Sequence, residues 1–374
     1  MYYNIKTVFV GMDVHKDSIT LCCYSILSEK VEHHHRTGGH YKDVLKYLNV
    51  VRRFYDDDTE FVCGYEAGFL GYSLCRKLTK HGVKCVILAP STMPEQRGKK
   101  KLKTDKRDAE KIARCLAFND YKPVFILTAE DEAVRGYIRM RADNKLTLKK
   151  RKQQICAFCY KLGYYYDGKT YWTKAHLKWL RELKLSPVAR ETLDEYLISY
   201  YELFDKIERF DQRIKELASG DQYKENVQKL VCLKGVNTNT ALTMLVEIGD
   251  FKRFRTPGHL ASYLGLTPGE HSSGDSHIGL GITKAGNRIL RTALMESAQC
   301  YTRRYSGAKS KALKERQKGA APRIVDYADR AAVRLHRRYR ALHNYEHKKH
   351  NVAVAAVARE LACFIWGMLN NEIV

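Results

Sequence analysis

The sequence predicts a mixed α/β domain followed by a long, mostly helical remainder. Three observations carry that reading. Up to about residue 125, short apolar runs alternate with amphipathic stretches; beyond about residue 129, apolar positions recur at helical spacing. A chain of 374 residues is also too long for one small domain and suits two or three.

In chain order, Val8 to Val14 predicts a first strand, Ile19 to Ile26 a second and Lys30 to Arg36 a third. An amphipathic helix follows near Asp43 to Phe54, then a strand from Phe61 to Glu66, a helix around Tyr72 to His81 and a strand from Val83 to Leu88. Three successive strands followed by helix–strand units predict a mixed sheet with helices on its faces. That order matches the ribonuclease H fold, and other α/β folds share parts of it. From about 129 to 220 the pattern is helical. Leu193, Tyr196, Tyr200, Leu203, Ile207, Phe210, Ile214 and Leu217 keep a 3-4 spacing with charges between them. This is a coiled-coil pattern, either intermolecular or folded back on the helix from 130 to 162, and an ordinary helical hairpin explains it as well. From about 226 the chain is helical again, apart from a Gly- and Ser-rich loop over 269–286 and a basic stretch from Arg303 to Lys318. The expected domains are 1–127, a helical coiled-coil region over 128–222, and 223–374.

Lys and Arg number 66 against 42 Asp and Glu, a formal net charge of +24. Such an excess predicts a polyanionic partner bound through phosphate neutralisation. A membrane surface is the other polyanion, but no stretch is expected to reach the roughly 20 apolar residues that span a bilayer. The N-terminus runs straight into a strand without the regions of a signal peptide. Together these predict a cytosolic protein with access to nucleic acid. The 11 cysteines sit mostly in apolar runs, which suits buried, reduced thiols. Cys156 and Cys159 form a lone CxxC, read as helix packing. Strand alternation separates His33, His34 and His35 onto opposite faces, which speaks against a metal site there.

Four acids stand out. Asp13 ends the first strand, Glu66 ends the fourth, and Asp105 and Asp108 open a helix at a spacing that puts both on one face. Taken singly, each has a plainer reading: a helix cap, a turn cap, or a surface ion pair. Together, within so basic a protein, they point to divalent metal, because converging carboxylates repel unless cations sit between them. Lys99, Lys100, Lys101, Lys103, Lys106 and Arg107 surround the DxxD pair and suit a DNA backbone.

Two further features lie in the last third. Leu233-Lys234-Gly235-Val236-Asn237 before an apolar helix resembles a helix-hairpin-helix turn, with Asn237 expected to tolerate a left-handed backbone where Gly is common. A structural hairpin explains it equally well. Ser272 and Ser273 lie in a loop flanked by His271, Lys284, Arg288 and Arg291. Ser-Ser-Gly by itself is ordinary turn chemistry. The flanks add the positive and proton-transferring groups that a serine nucleophile needs.

These residues together resemble the DEDD transposases of the insertion-sequence 110 family, and within it the insertion-sequence 1111-like subgroup. The likeness rests on Gly11-Met12-Asp13-Val14-His15-Lys16, on Tyr65-Glu66-Ala67-Gly68 with Gly71-Tyr72, and on Lys103-Thr104-Asp105-Lys106-Arg107-Asp108-Ala109-Glu110. It continues through Gly265-Leu266-Thr267-Pro268, Ser272-Ser273-Gly274 and Ile282-Thr283-Lys284-Ala285-Gly286-Asn287. The resemblance implies a RuvC-like domain whose Asp13, Glu66, Asp105 and Asp108 bind Mg²⁺ (or Mn²⁺), a coiled-coil middle, and a C-terminal transposase domain. There Ser273 is the implied nucleophile, with Ser272 its near neighbour. It further implies double-stranded DNA as substrate (element ends and target), a structured non-coding bridge RNA as guide, and a homodimer assembling to a tetramer. Lys99, Lys100, Lys101, Lys103, Arg107, Lys284, Arg288 and Arg291 are the expected nucleic-acid contacts. The sequence departs from its relatives at Phe69-Leu70, is less basic than expected over Asp275 to Leu280, and matches loosely beyond about 305. A metal-dependent RuvC-like nuclease or Holliday junction resolvase, with a structural serine, is the alternative. A non-catalytic nucleic-acid scaffold is the third reading, against which the intact acid set speaks.

Overall fold

Strand β1 (Thr7–Val14) is the hub of the N-terminal sheet, pairing antiparallel with β2 (Ser18–Ser25) and parallel with β4 (Glu60–Glu66). In the computed structural model, residues 6–94, 104–273, 276–303 and 307–373 are described. The order is β3-β2-β1-β4-β5, with β3 (Val31–Gly38) and β5 (Lys84–Leu88) at the edges. Helix α1 (Tyr41–Val51) follows β3, α2 (Ser73–Lys80) precedes β5, and α3 (Asp105–Phe118) follows it.

Alternation along the strands sorts the core into two layers. Val8, Val10 and Met12 of β1 pack with Phe61, Cys63 and Tyr65 of β4 against Val44 and Leu48 of α1 and Leu74 and Leu78 of α2. Phe9 and Val62 face the other way, against Ile112, Ala113 and Leu116 of α3. Two glycines let α3 lie close on that face. A Cβ on Gly11 would come within 2.0 Å of the Ala109 carbonyl oxygen, and one on Gly64 within 2.8 Å of Leu116. The three histidines of β3 split as alternation requires. His34 reaches Glu110 of α3 at 3.2 Å, while His33 packs on Phe54 and His35 stacks on Tyr47.

The contacts divide the chain into two compact units, Met1–Ile126 and Leu127–Val374. In the second, α4 (Ala129–Lys161) and α6 (Pro187–Ala218) are joined by a loop and α5 (Lys174–Glu182) and run antiparallel. The heptad row Leu193, Tyr200, Ile207 and Ile214 is buried, whereas Tyr196, Leu203, Phe210 and Leu217 are half-buried. Ile155 and Cys159 of α4 join the core at one end, and Val134 and Ile138 at the other. Arg141 makes a bidentate pair with Asp211 across the two helices, at 2.6 and 3.0 Å. The apolar seam of α6 is thus met within the chain by α4.

Helices α7 (Asp221–Leu230), α8 (Thr238–Ile248), α9 (Pro257–Tyr263), α10 (Arg288–Ala298), α11 (Lys311–Gln317), α12 (Pro322–Arg340) and α13 (His350–Leu369) build the rest around one apolar core. Two expectations need correction. Helix α13 is, by length and composition, apolar enough to cross a membrane, contrary to the reading that no stretch comes close. Its Val354, Val357, Leu361 and Ile365 are instead buried in the core of this unit. The supposed loop over 269–286 contains a hairpin, β6 (Pro268–Ser273) with β7 (Ser276–Ile282). Its residues gave no strand signal because glycine and polar residues interrupt the apolar alternation that marks a half-buried strand.

Candidate acidic centre and serine hairpin

Asp13 and Glu66 end up side by side because β1 and β4 are parallel and in register. Met12 is opposite Tyr65, so each acid is the next residue along its strand. Alternation puts both on the α3 face, the side of Phe9 and Val62. The α3 N-terminus delivers the other two acids. Thr104 caps the helix, its hydroxyl accepting from the Arg107 N–H at 3.4 Å, and Asp105 and Asp108 fall in the first turn. Acids there also suit the helix dipole.

The structure draws together three atoms of types able to ligate a metal. A carboxylate oxygen of Asp13, one of Asp105 and an imidazole nitrogen of His15 lie within 4.8 Å of one another. His15 Nε2 is 3.2 Å from Asp13 Oδ2 and 3.7 Å from Asp105 Oδ1. That spread suits ligands about 2.1 Å from one octahedral cation. Asp13 feels the crowding: burial pushes its carboxyl above the usual range and the charges of Asp108 and Asp105 add to the rise, while His15 opposes it. Asp108 therefore acts on Asp13 through space, and Glu66 flanks it on the next strand; neither belongs to the tight group. His15 was not among the expected metal ligands. The signal available in the sequence was an imidazole two residues beyond a strand-end Asp. Among the basic residues expected here, Arg107 is exposed on the first turn of α3. Lys99, Lys100, Lys101 and Lys103 lie outside the described residues.

In the second unit, the segments Gly265 to Pro268 and Ile282 to Asn287 on either side of the hairpin prove to be its clamp. Thr283 N–H donates to Thr267 O at 3.0 Å and Lys284 N–H to Gly265 O at 3.1 Å. Gly286 sits so close that a Cβ would meet the Tyr263 carbonyl oxygen at 2.0 Å, and Gly265 adopts φ +66°. Arg291 donates from one nitrogen to Leu264 O (3.1 Å) and Gly286 O (3.0 Å), which ties it to this clamp, whereas Lys284 and Arg288 are exposed. Asn287 caps α10, accepting from Ile289 and Leu290 N–H, and its amide donates to Glu247 Oε2 at 2.7 Å. Glu247 is fully buried and also takes a bidentate pair from Arg139 at 2.7 and 2.8 Å. One carboxylate thus ties α4, α8 and the cap of α10. On the hairpin, Ser273 is opposite Ser276 and Ser272 opposite His277. The side chains of 271–278, and so the hydroxyl of Ser273, lie outside the described residues.

The turn before α8 corrects one detail. Gly235, not Asn237, takes the left-handed backbone (φ +85°), while Asn237 is extended and caps α8, its side chain accepting from Thr240 N–H at 2.9 Å. The turn borders a cavity of about 690 Å³ lined by Lys234, Asn237, Cys300, Arg303, Lys309 and Arg316 among others. Asp329 also lines it and pairs with Lys309 at 2.6 Å, so the cavity is of mixed charge.

Two family models match the chain, one of the DEDD type of insertion-sequence 110 transposase over residues 10–159 and one for the transposase IS116/IS110/IS902 family over residues 227–315. The chain is 31% identical to the transposase for insertion sequence element IS1533 of Leptospira borgpetersenii, over 90% of this chain and 97% of that one. It is 28% identical to the transposase for insertion sequence element IS1111A of Coxiella burnetii, over 46% of this chain and 41% of that one. It is also 33% identical to the pilin gene-inverting protein of Moraxella bovis, over 32% of this chain and 39% of that one.

Proposed function

Since this chain belongs to the IS116/IS110/IS902 family of DEDD transposases and is an enzyme acting on DNA, we propose that it cuts and rejoins DNA strands through Ser273 with the help of a divalent metal. The observation that carries the metal half is the convergence of Asp13, His15 and Asp105, with Asp108 close enough to raise the Asp13 carboxyl. The family suggests divalent metal use; Asp13 and Asp105 offer hard carboxylate oxygens in the tight group, and Glu66 and Asp108, which flank it, would complete the set expected for Mg²⁺ (or Mn²⁺). When bound, such an ion neutralises charge on the scissile phosphate. The sheet order, with β1 central and acids at the ends of β1 and β4, supports a ribonuclease H-like, RuvC-like assignment for this unit.

In the proposed step the Ser273 oxygen bonds to phosphorus as the bond to a deoxyribose oxygen breaks, leaving DNA esterified to the serine. The serine proton leaves to solvent or a base, and the expelled oxygen takes one up. Attack by another strand end reverses the step and joins new partners. Similarity to a gene-inverting protein supports rejoining over simple hydrolysis, and likeness to the IS1111A transposase supports the insertion-sequence 1111-like subgroup. The +24 charge supports DNA contact through residues such as Lys284, Arg288 and Arg107, and is compatible with a guide RNA and with a dimer assembling to a tetramer.

A covalent-adduct assay tests this. Protein, Mg²⁺ and a plasmid carrying element ends with flanking RNA-coding DNA and a target are incubated, then denatured. DNA attached to protein, lost in Ser273→Ala and kept in Ser272→Ala, is the expected result. Cleavage without adduct and unchanged in Ser273→Ala would overturn it in favour of a metal-dependent nuclease or junction resolvase.

A further inference from the structure

The tip of the α4/α6 pair carries a surface that neither the acidic centre nor the serine hairpin uses. Between residues 145 and 184 the sequence places eleven Lys and Arg against only Asp167 and Glu182. Lys161, Lys169, Lys174 and Lys184 are exposed and make no ion pair among the described residues. Aromatic side chains are interleaved with them. Tyr165 stacks on Tyr160, with ring centroids 5.4 Å apart and planes 16° apart, while remaining 65% exposed. A ring covered on one side and that open keeps a face for another planar group.

This surface is braced rather than loose. The Tyr160 and Tyr171 hydroxyls are 3.1 Å apart, Tyr164 donates to the Lys184 carbonyl, and Tyr166 packs on Tyr171 and on buried His176. Trp172 is held at φ +65°, a left-handed backbone that a bulky residue rarely takes; its N–H donates to His176 Nδ1 at 3.1 Å and its ring lies under Lys152. Backbone strain of this kind persists only where the surroundings over-determine it, and it concentrates at functional sites.

We infer that the Tyr160–Tyr165 stack and its lysines form a platform for single-stranded DNA, with an unpaired base stacking on Tyr165 and the lysines following the phosphates. Cations with an open aromatic face are the chemistry by which single strands are held without base reading. Duplex DNA keeps its bases stacked inside and would use the lysines alone. DNA is the substrate on which this enzyme acts, and strand exchange transiently unpairs it.

The test is fluorescence anisotropy of the full chain with a labelled single-stranded oligonucleotide of mixed sequence, the same sequence as duplex, and the same sequence as RNA, each across a salt series. Tyr165→Ala is expected to weaken single-stranded DNA binding by about 5- to 100-fold while leaving the duplex unchanged. Tyr165→Phe, which keeps the ring, should retain wild-type affinity. Equal losses on duplex and single strand would overturn the platform, as would Tyr165→Ala binding like wild type or tighter binding of the RNA strand. A shift in oligomeric state on Tyr165→Ala, read by light scattering, would also overturn it by making the patch a contact between protein copies.

Discussion

Glu247 and Asp13 are both carboxylates withdrawn from solvent, and their surroundings treat the charge in opposite ways. Glu247 has no exposed side-chain surface, yet Arg139 and Asn287 meet it with three hydrogen bonds of 2.7 to 2.8 Å. Asp13 keeps 20% of its side-chain surface exposed, and its neighbours are two more acids and one imidazole. The first arrangement is complete as it stands and holds three helices together. The second is the site at which we propose that a divalent cation binds. A carboxylate with its own guanidinium reads as architecture, and a carboxylate among carboxylates reads as chemistry.

The largest effect that separates the two concerns catalysis. Removing one member of the acidic centre withdraws several kcal/mol of charge stabilisation, so Asp105→Ala is expected to slow strand cleavage by at least about a thousandfold. The same substitution should leave the thermal midpoint unchanged or slightly raised, because it relieves repulsion on Asp13. A clear loss of stability in Asp105→Ala would erase the contrast with Glu247.

Second comes the cost of breaking the architectural pair. Arg139→Met strands a fully buried charge and is expected to lower unfolding free energy in urea by about 3–5 kcal/mol. Adding Glu247→Leu should restore much of that loss, since the uncompensated charge goes with it. If Arg139→Met unfolds like wild type, Glu247 does not depend on its partner.

The smallest effect is on pH, where the two units should respond with opposite sign. Burial and the Lys234 cation 2.8 Å away lower His336 to about 4. Its contribution to stability is therefore present above its ordinary value of 6.5 and is lost as pH falls toward 4, because the unfolded chain takes up the proton first. Asp13 is raised, so its contribution is present below its ordinary 3.8 and fades as pH rises through the folded value. Stability curves of His336→Gln and Asp13→Asn against wild type read the two slopes separately. Same-sign slopes would show that one of these environments is misassigned.

Much of this was legible beforehand, and the reasons are local. Asp13 and Glu66 could be singled out because each ends an apolar run, and Asp105 and Asp108 because their spacing and the Thr104 cap are written in adjacent residues. The α4/α6 seam was visible as a heptad row, though not whether its partner lay in the same chain. His15 was overlooked because nothing in its neighbours says that it turns back toward Asp105 across 90 residues. The β6–β7 hairpin was read as a loop because its order comes from the clamp of Gly265 and Gly286, which are 21 positions apart. Asn237 was assigned the left-handed position that Gly235 takes, since either residue tolerates it and only the path into α8 decides.

The sequence by itself determined the strands and helices of the N-terminal sheet region, the helical character beyond it, the basic charge and the four acids, because periodicity, capping and strand ends are properties of neighbouring residues. Tertiary structure alone decided which acids share one point, that α13 is a core helix, and that Glu247 is neutralised by Arg139. Those outcomes depend on parallel register, on close approach at Gly11, and on side chains that meet only after the chain has folded.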